Sequence, residues 1–157
     1  MIFAVGCDHA GYPVKDLVIN SLRALGHDVV DEGVFSCESA DYPDYAKKVA
    51  LDIEEGRAQR GVLICGSGIG VCIAASKFKG VRPAIAHDVY SAAQGVEHDD
   101  MNVLCLGARV IGDKAPQLVP ELVKAFAQAS FCKGEERHER RTAKVAAFET
   151  ENFKYII

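Results

Sequence analysis

A doubly wound α/β domain, a parallel sheet with helices on both faces, is the fold class this sequence predicts. Three observations lead there. Short, β-branched apolar runs recur five times; amphipathic helical patterns separate them; and the alternation of strand and helix persists along the chain, which implies parallel strands joined by right-handed crossovers. The first strand is "IFAV" (2–5). Val14, Leu17, Val18, Leu22 and Leu25 then recur at helical spacing, and Gly26 supplies the stop. "DVVDEGV" (28–34) is the second strand, and a second helix follows Pro43. "GVLI" (61–64) is the third strand, leading into a helix from about Ile69 to Phe78. "RPAIA" (82–86) is the fourth, with a helix starting near Asp88, and "NVLCLG" (102–107) is the fifth. A fifth helix follows Pro116, its buried face marked by Val119, Leu122, Val123 and Phe126, and a final one covers about 137–153. The expected strand order is 2-1-3-4-5. It puts the carboxyl ends of strands 1 and 3 side by side at the topological switch point, where such sheets bind ligands. Those ends carry "CDHAG" (7–11) and "CGSGIG" (65–70).

A chain of 157 residues suits one domain, 1–157, with an adequate core. No apolar run approaches the roughly 18–20 residues needed to span a bilayer, and "MIFAVGCDHAG" has neither a charged leader nor a cleavage site. A cytoplasmic protein with no membrane contact is expected. The net charge of −4 argues against a nucleic-acid surface, because phosphate backbones select a basic balance. A partner carrying one phosphate remains open. The six cysteines, at 7, 37, 65, 72, 105 and 132, form no CxxC pair and no zinc-type spacing, so neither a disulfide framework nor a metal is expected. Cys7, Cys72 and Cys105 read as small buried hydrophobes.

The stretch "GVLICGSGIGVCIAASK" (61–77) turns an apolar strand into a helix through three glycines, with a thiol at the hinge. It is not a dinucleotide fingerprint or a P-loop, since both required patterns are broken. A hydrolase elbow needs glycine where Cys65 stands, and a cysteine phosphatase needs arginine where Val71 stands. What survives is physical: glycines let several N–H groups converge at a helix N-terminus, forming an anion-binding nest. A thiol at its edge, as thiolate, can accept a proton from carbon, and the nest suits the enediolate left behind. A tight turn with an inert buried cysteine uses the same residues. The second turn adds Asp8 and His9, a proton carrier and an anion ligand at a neighbouring strand end. Farther on, "EERHERR" (135–141) sets Arg137 and Arg141 four apart on one helix face. Their guanidinium forks match phosphate oxygens, although a solvated charge run has the same composition.

Taken together, "GCDHAG", "DYPDYA" (41–46), "GVLICGSGIG", "AASKFKGVRPA" (74–84), "HDDMNVLCLGARVIG" (98–112) and "GEERHERR" (134–141) resemble ribose-5-phosphate isomerase type B, in order and over nearly the whole chain. The resemblance implies a Rossmann-like three-layer α/β/α homodimer with an extra C-terminal helix, interconverting ribose 5-phosphate and ribulose 5-phosphate without metal or cofactor. It makes Cys65 the base that moves the proton between C1 and C2, with Ser67 assisting at the substrate oxygens and Asp8 in the relay. The amides of Gly66 to Gly70, Gly68 among them, would hold the enediolate. His98 would open the furanose ring with help from Tyr42, while His9, Arg109, Arg137 and Arg141 would take the phosphate. Some members use a glutamate where this chain has Val71, which leaves Cys65 as the base here. Position 99 is often asparagine, whereas Asp99 puts a carboxylate beside His98 and the sugar hydroxyls. Six-carbon aldose phosphates and erythrose 4-phosphate are the alternatives within the class, and a non-catalytic sugar-phosphate sensor is the alternative outside it. Active sites shared between the two subunits are expected, since the segment with His98 precedes strand 5 while Cys65 follows strand 3.

Overall fold

The computed structural model describes residues 1–112 and 115–152. Five strands alternate with helices in this order: β1 (Ile2–Cys7), α1 (Tyr12–Ala24), β2 (Asp28–Asp31), α2 (Tyr42–Glu54), β3 (Arg60–Cys65), α3 (Ile69–Ala75), β4 (Pro83–Ile85), α4 (Val89–Asp99) and β5 (Val103–Gly107). A π-type turn, Ala108–Gly112, leads on to α5 (Leu118–Gln128) and α6 (Glu136–Asn152). Every strand pairing is parallel, and the expected three-layer α/β/α architecture is what forms. No helix among the described residues is long and apolar enough to cross a membrane.

The sheet order is 2-1-3-5-4, which corrects the expected 2-1-3-4-5. Burial explains the exchange. β5 has five fully buried residues, whereas β4 has three, partly exposed, and begins with Pro83, which lacks a ladder donor. The buried strand takes the inner place beside β3, and the proline strand takes the edge. The pairing of β1 with β3 is as expected, with Cys7 opposite Ile64, so the two unusual turns lie at neighbouring strand ends.

Side chains alternate across the strands with period two and build two cores. Phe3, Val5, Val62, Ile64, Leu104 and Leu106 face α1, α4 and α5. Ala4, Leu63, Cys65, Val103 and Cys105 face α2 and α3. Prolines near the starts of α1 and α2 fit helix entry, and Gly26, at φ +81°, ends α1 in the left-handed region. One residue breaks the expected pattern. Lys15, not Leu17, lies on the buried stripe of α1: Lys15 is 3% exposed and Leu17 is 36% exposed. Its ammonium donates to Asp31 Oδ2 and to the Val34 carbonyl, each at 2.8 Å, and sits 4.2 Å from the Phe35 ring centre. α6 is an outlying helix that packs on α4.

Candidate active site

β3 delivers Cys65 to the carboxyl edge of the sheet, on the α2/α3 side. Gly68 then adopts φ +82°, a left-handed conformation that folds the chain back over the strand ends. A side chain there would press on backbone, since a Cβ would meet the Leu106 carbonyl carbon at 3.1 Å. The turn brings the Gly68 amide onto Cys65, donating to Sγ at 3.1 Å, and the Ile69 amide onto Ser67 Oγ at 3.2 Å. Two amides of the expected nest are thus directed at the thiol and the hydroxyl.

Asp8 follows the last residue of β1 beside this turn and is almost fully buried. Its Oδ1 accepts from the amides of Ala10 and Gly11, both at 3.0 Å, which fixes the carboxylate. The Tyr42 ring lies against Gly70, close enough that a Cβ at position 70 would overlap it at 2.8 Å. Arg109, in the π-type turn, donates its amide to the Gly66 carbonyl at 3.0 Å and runs its guanidinium along Gly66. Asp8, Tyr42, Cys65, Gly66, Ser67, Gly70 and Arg109 line one cleft of about 400 Å³, with exposed Val110 on its wall. His9 is held on the same strand end, its Nδ1 accepting from the Ala40 amide at 3.1 Å.

The remaining expected residues form a second group. His98 lies in the last turn of α4, with Nδ1 2.8 Å from Gln94 Nε2, and its ring stacks on buried His138 with centres 4.0 Å apart. Arg137 donates from Nε to His138 Nε2 at 3.2 Å, which ties the start of α6 to His98. Arg141 is exposed on the same helix, and Asp99 is exposed at the end of α4. α4 begins beyond the carboxyl end of β4 and returns the chain to the start of β5. Its eleven residues at 1.5 Å each carry His98 roughly 15 Å toward the opposite edge of the sheet from Cys65. One chain therefore holds two separated sets of functional groups. A larger groove of about 520 Å³ runs between β4, α4 and α6, but its lining is mainly apolar and, Asp99 aside, holds none of the expected site residues. Asp8, Tyr42, Cys65, Ser67 and Arg109 meet instead in the smaller cleft.

Electrostatics separates the thiols. Burial pushes Cys7 up to about 11 and Cys105 well above the ordinary range, in keeping with their reading as buried hydrophobes. Cys72 departs from it: half-buried, and lowered to about 7 by a hydrogen bond with the Cys105 thiol. Lys15, His87, Gln94 and His138 have roles in this architecture that the sequence reading missed. A lysine on the apolar stripe of α1 was a usable signal for the first; the others owe their place to partners in space.

Residues 3–145 match the family model described as Ribose/Galactose Isomerase. The chain is 40% identical to ribose-5-phosphate isomerase B of Escherichia coli over 146 residues, 93% of this chain and 95% of that one. It is also 40% identical to D-erythrulose-4-phosphate isomerase of Pectobacterium atrosepticum, over 82% of this chain and 83% of that one. Among solved structures, ribose-5-phosphate isomerase B of Mycoplasma genitalium with bound ribulose-5-phosphate superposes with a TM-score of 0.87 at 36% identity, covering 96% of this chain and 97% of that one.

Proposed function

The chain belongs to the ribose/galactose isomerase family, and on that premise we propose that it interconverts ribose 5-phosphate and ribulose 5-phosphate through an enediolate. The observation that carries this reading is the Cys65 thiol, set at a strand end with the Gly68 amide on its sulfur and with Asp8, Ser67 and Arg109 in the same cleft. In the forward direction the Cys65 thiolate removes the C2 proton of the open-chain aldose. The electron pair moves through C1 to the aldehyde oxygen, giving an enediolate beside the turn amides and the Ser67 hydroxyl. The thiol returns the proton to C1, while the proton on the C2 oxygen passes to the C1 oxygen, so the ketose forms with no net proton change. Ser67 serves this oxygen-to-oxygen transfer, and the fixed Asp8 carboxylate orients the polar end of the cleft. His9 and Arg109 take the phosphate from one side. His98 protonates the ring oxygen in the preceding opening step, assisted by Tyr42.

That scheme requires His98, Arg137 and Arg141 at the same sugar as Cys65. A two-fold dimer supplies them from the partner chain, because an isologous interface completes two equivalent sites at once. Exposed Ile69, Ile73 and Val110, beside the cleft, support burial of this edge against another subunit. Relatives acting on four-carbon and six-carbon phosphates set the test. With EDTA present, the enzyme is offered ribose 5-phosphate, erythrose 4-phosphate and six-carbon aldose phosphates, and aldose-to-ketose conversion is followed. The highest kcat/KM on the pentose phosphate is expected. A preference for another chain length would reassign the substrate, and binding without turnover on all of them would leave a sensor.

A further inference from the structure

We infer that His87 is a positioning residue of this site: its Nε2 accepts from the Gly107 amide and so fixes the backbone floor on which the glycine turn rests. The inference builds on the enediolate role of that turn. Gly107 is the last residue of β5 and stands directly opposite Cys65 in the sheet register. The turn rests on it. A Cβ at Gly107 would come within 2.7 Å of the Ser67 carbonyl group, and one at Gly68 would come within 3.2 Å of the Gly107 nitrogen. Movement of the 106–107 peptide is therefore passed on to Ser67 and Gly68, and from Gly68 to the sulfur that its amide touches.

On its other side β5 loses its partner early. The ladder between β4 and β5 ends at Ile85 opposite Cys105, two residues short of Gly107. A buried amide at that point needs an acceptor from elsewhere. His87, two residues beyond Ile85, supplies it at 2.9 Å, so a side chain continues the ladder where the backbone has stopped. A ring nitrogen that accepts an amide hydrogen is unprotonated, which places the proton of the neutral imidazole on Nδ1. Burial depresses the basicity of His87 and outweighs the neighbouring Asp88 carboxylate, favouring this neutral form. Asp88 caps α4, accepting from the Ser91 amide at 2.7 Å, and so steadies the backbone from which His87 projects.

Side-chain length gives the test its discrimination. In His87→Gln the carbonyl oxygen reaches about as far as Nε2, in His87→Asn it stops near the place of Nδ1, and His87→Ala has no acceptor. For isomerisation of ribose 5-phosphate, kcat should fall about tenfold to a hundredfold in the Ala and Asn variants, the scale of a misplaced active-site group, with a smaller change in KM. His87→Gln should recover most of it. Exchange of the Gly107 amide hydrogen, followed by NMR, should quicken in Ala and Asn and remain slow in Gln. In the unmodified protein, nitrogen-15 spectra should show His87 protonated at Nδ1 and bare at Nε2. An Nε2–H tautomer, equal activity in all variants, or a Gln variant no better than Ala would overturn the inference. If the unmodified protein isomerised no sugar phosphate, the enediolate reading would fail by itself, while the tautomer and exchange measurements would still decide whether His87 holds Gly107.

Discussion

With their protons held by burial, the thiols of Cys7 and Cys105 are ordinary core groups at neutral pH. Cys65 differs by position, since an amide points at its sulfur and a polar cleft opens beside it. Cys65→Ala should therefore lower kcat by about 10²–10⁴, the usual contribution of a general base, with KM for the sugar phosphate changed far less. Steady-state kinetics on the folded variant check this, and a loss under tenfold would move the base to another residue. Cys65, Ser67 and the glycines were legible in the sequence because they are contiguous, so the motif carries its own geometry, and Asp8 was legible because it follows a strand expected beside that of Cys65. Lys15 and His87 were not. Their partners lie 16 and 20 residues away, and only the fold shows that one answers Asp31 and the other an unpaired strand amide.

The final helix, expected at about 137–153, runs from Glu136 to Asn152, with position 153 outside the described residues, while the second strand and third helix stop three residues short of the expected ends. Chain order misled where burial decided adjacency. The proline in "RPAIA" was the available sign of an edge strand, and its weight against the uniformly apolar "VLCLG" becomes plain only in the paired sheet. The π-type turn at Ala108–Gly112 had no expectation at all, because it is shaped by the contact of Arg109 with Gly66 rather than by local pattern. At this scale the start of α6 is the proposed tether for phosphate. Arg137→Ala and Arg141→Ala should each raise KM for the phosphorylated substrate and weaken inhibition by inorganic phosphate. Some loss of kcat should accompany this, since grip on the remote group also orients the reacting carbons. Inhibition by phosphate as strong as in the unmodified enzyme would dismiss the clamp.

Across the molecule, the separation of His98 from Cys65 predicts complementation. When Cys65→Ala and His98→Ala proteins exchange subunits, the proposed arrangement gives a mixed dimer with one site lacking both groups and one site with both. Activity should rise above either parent, toward half the native value per mixed dimer. No gain, with mixed dimers confirmed by mass spectrometry, would refute sites shared between chains. Stability should respond to acid as well. His27, His87 and His138 all have their basicity lowered, each chiefly by burial, and His27 Nδ1 is buried with no hydrogen-bond partner. A depressed histidine stabilises the fold above its unfolded value of about 6.5, and that contribution is lost as pH falls through the folded value. Urea midpoints should therefore drop between pH 7.5 and pH 5.5, and His27→Phe, which keeps a ring against Phe3, should flatten part of that drop. Unchanged midpoints would show that the three rings do not govern the response. Finally, both margins of the sheet are poor templates. β2 has four residues with an aspartate at either end, and β4 has three residues led by proline. Neither offers a long, uncharged row of backbone groups to an incoming strand, so the fold resists runaway edge-to-edge aggregation.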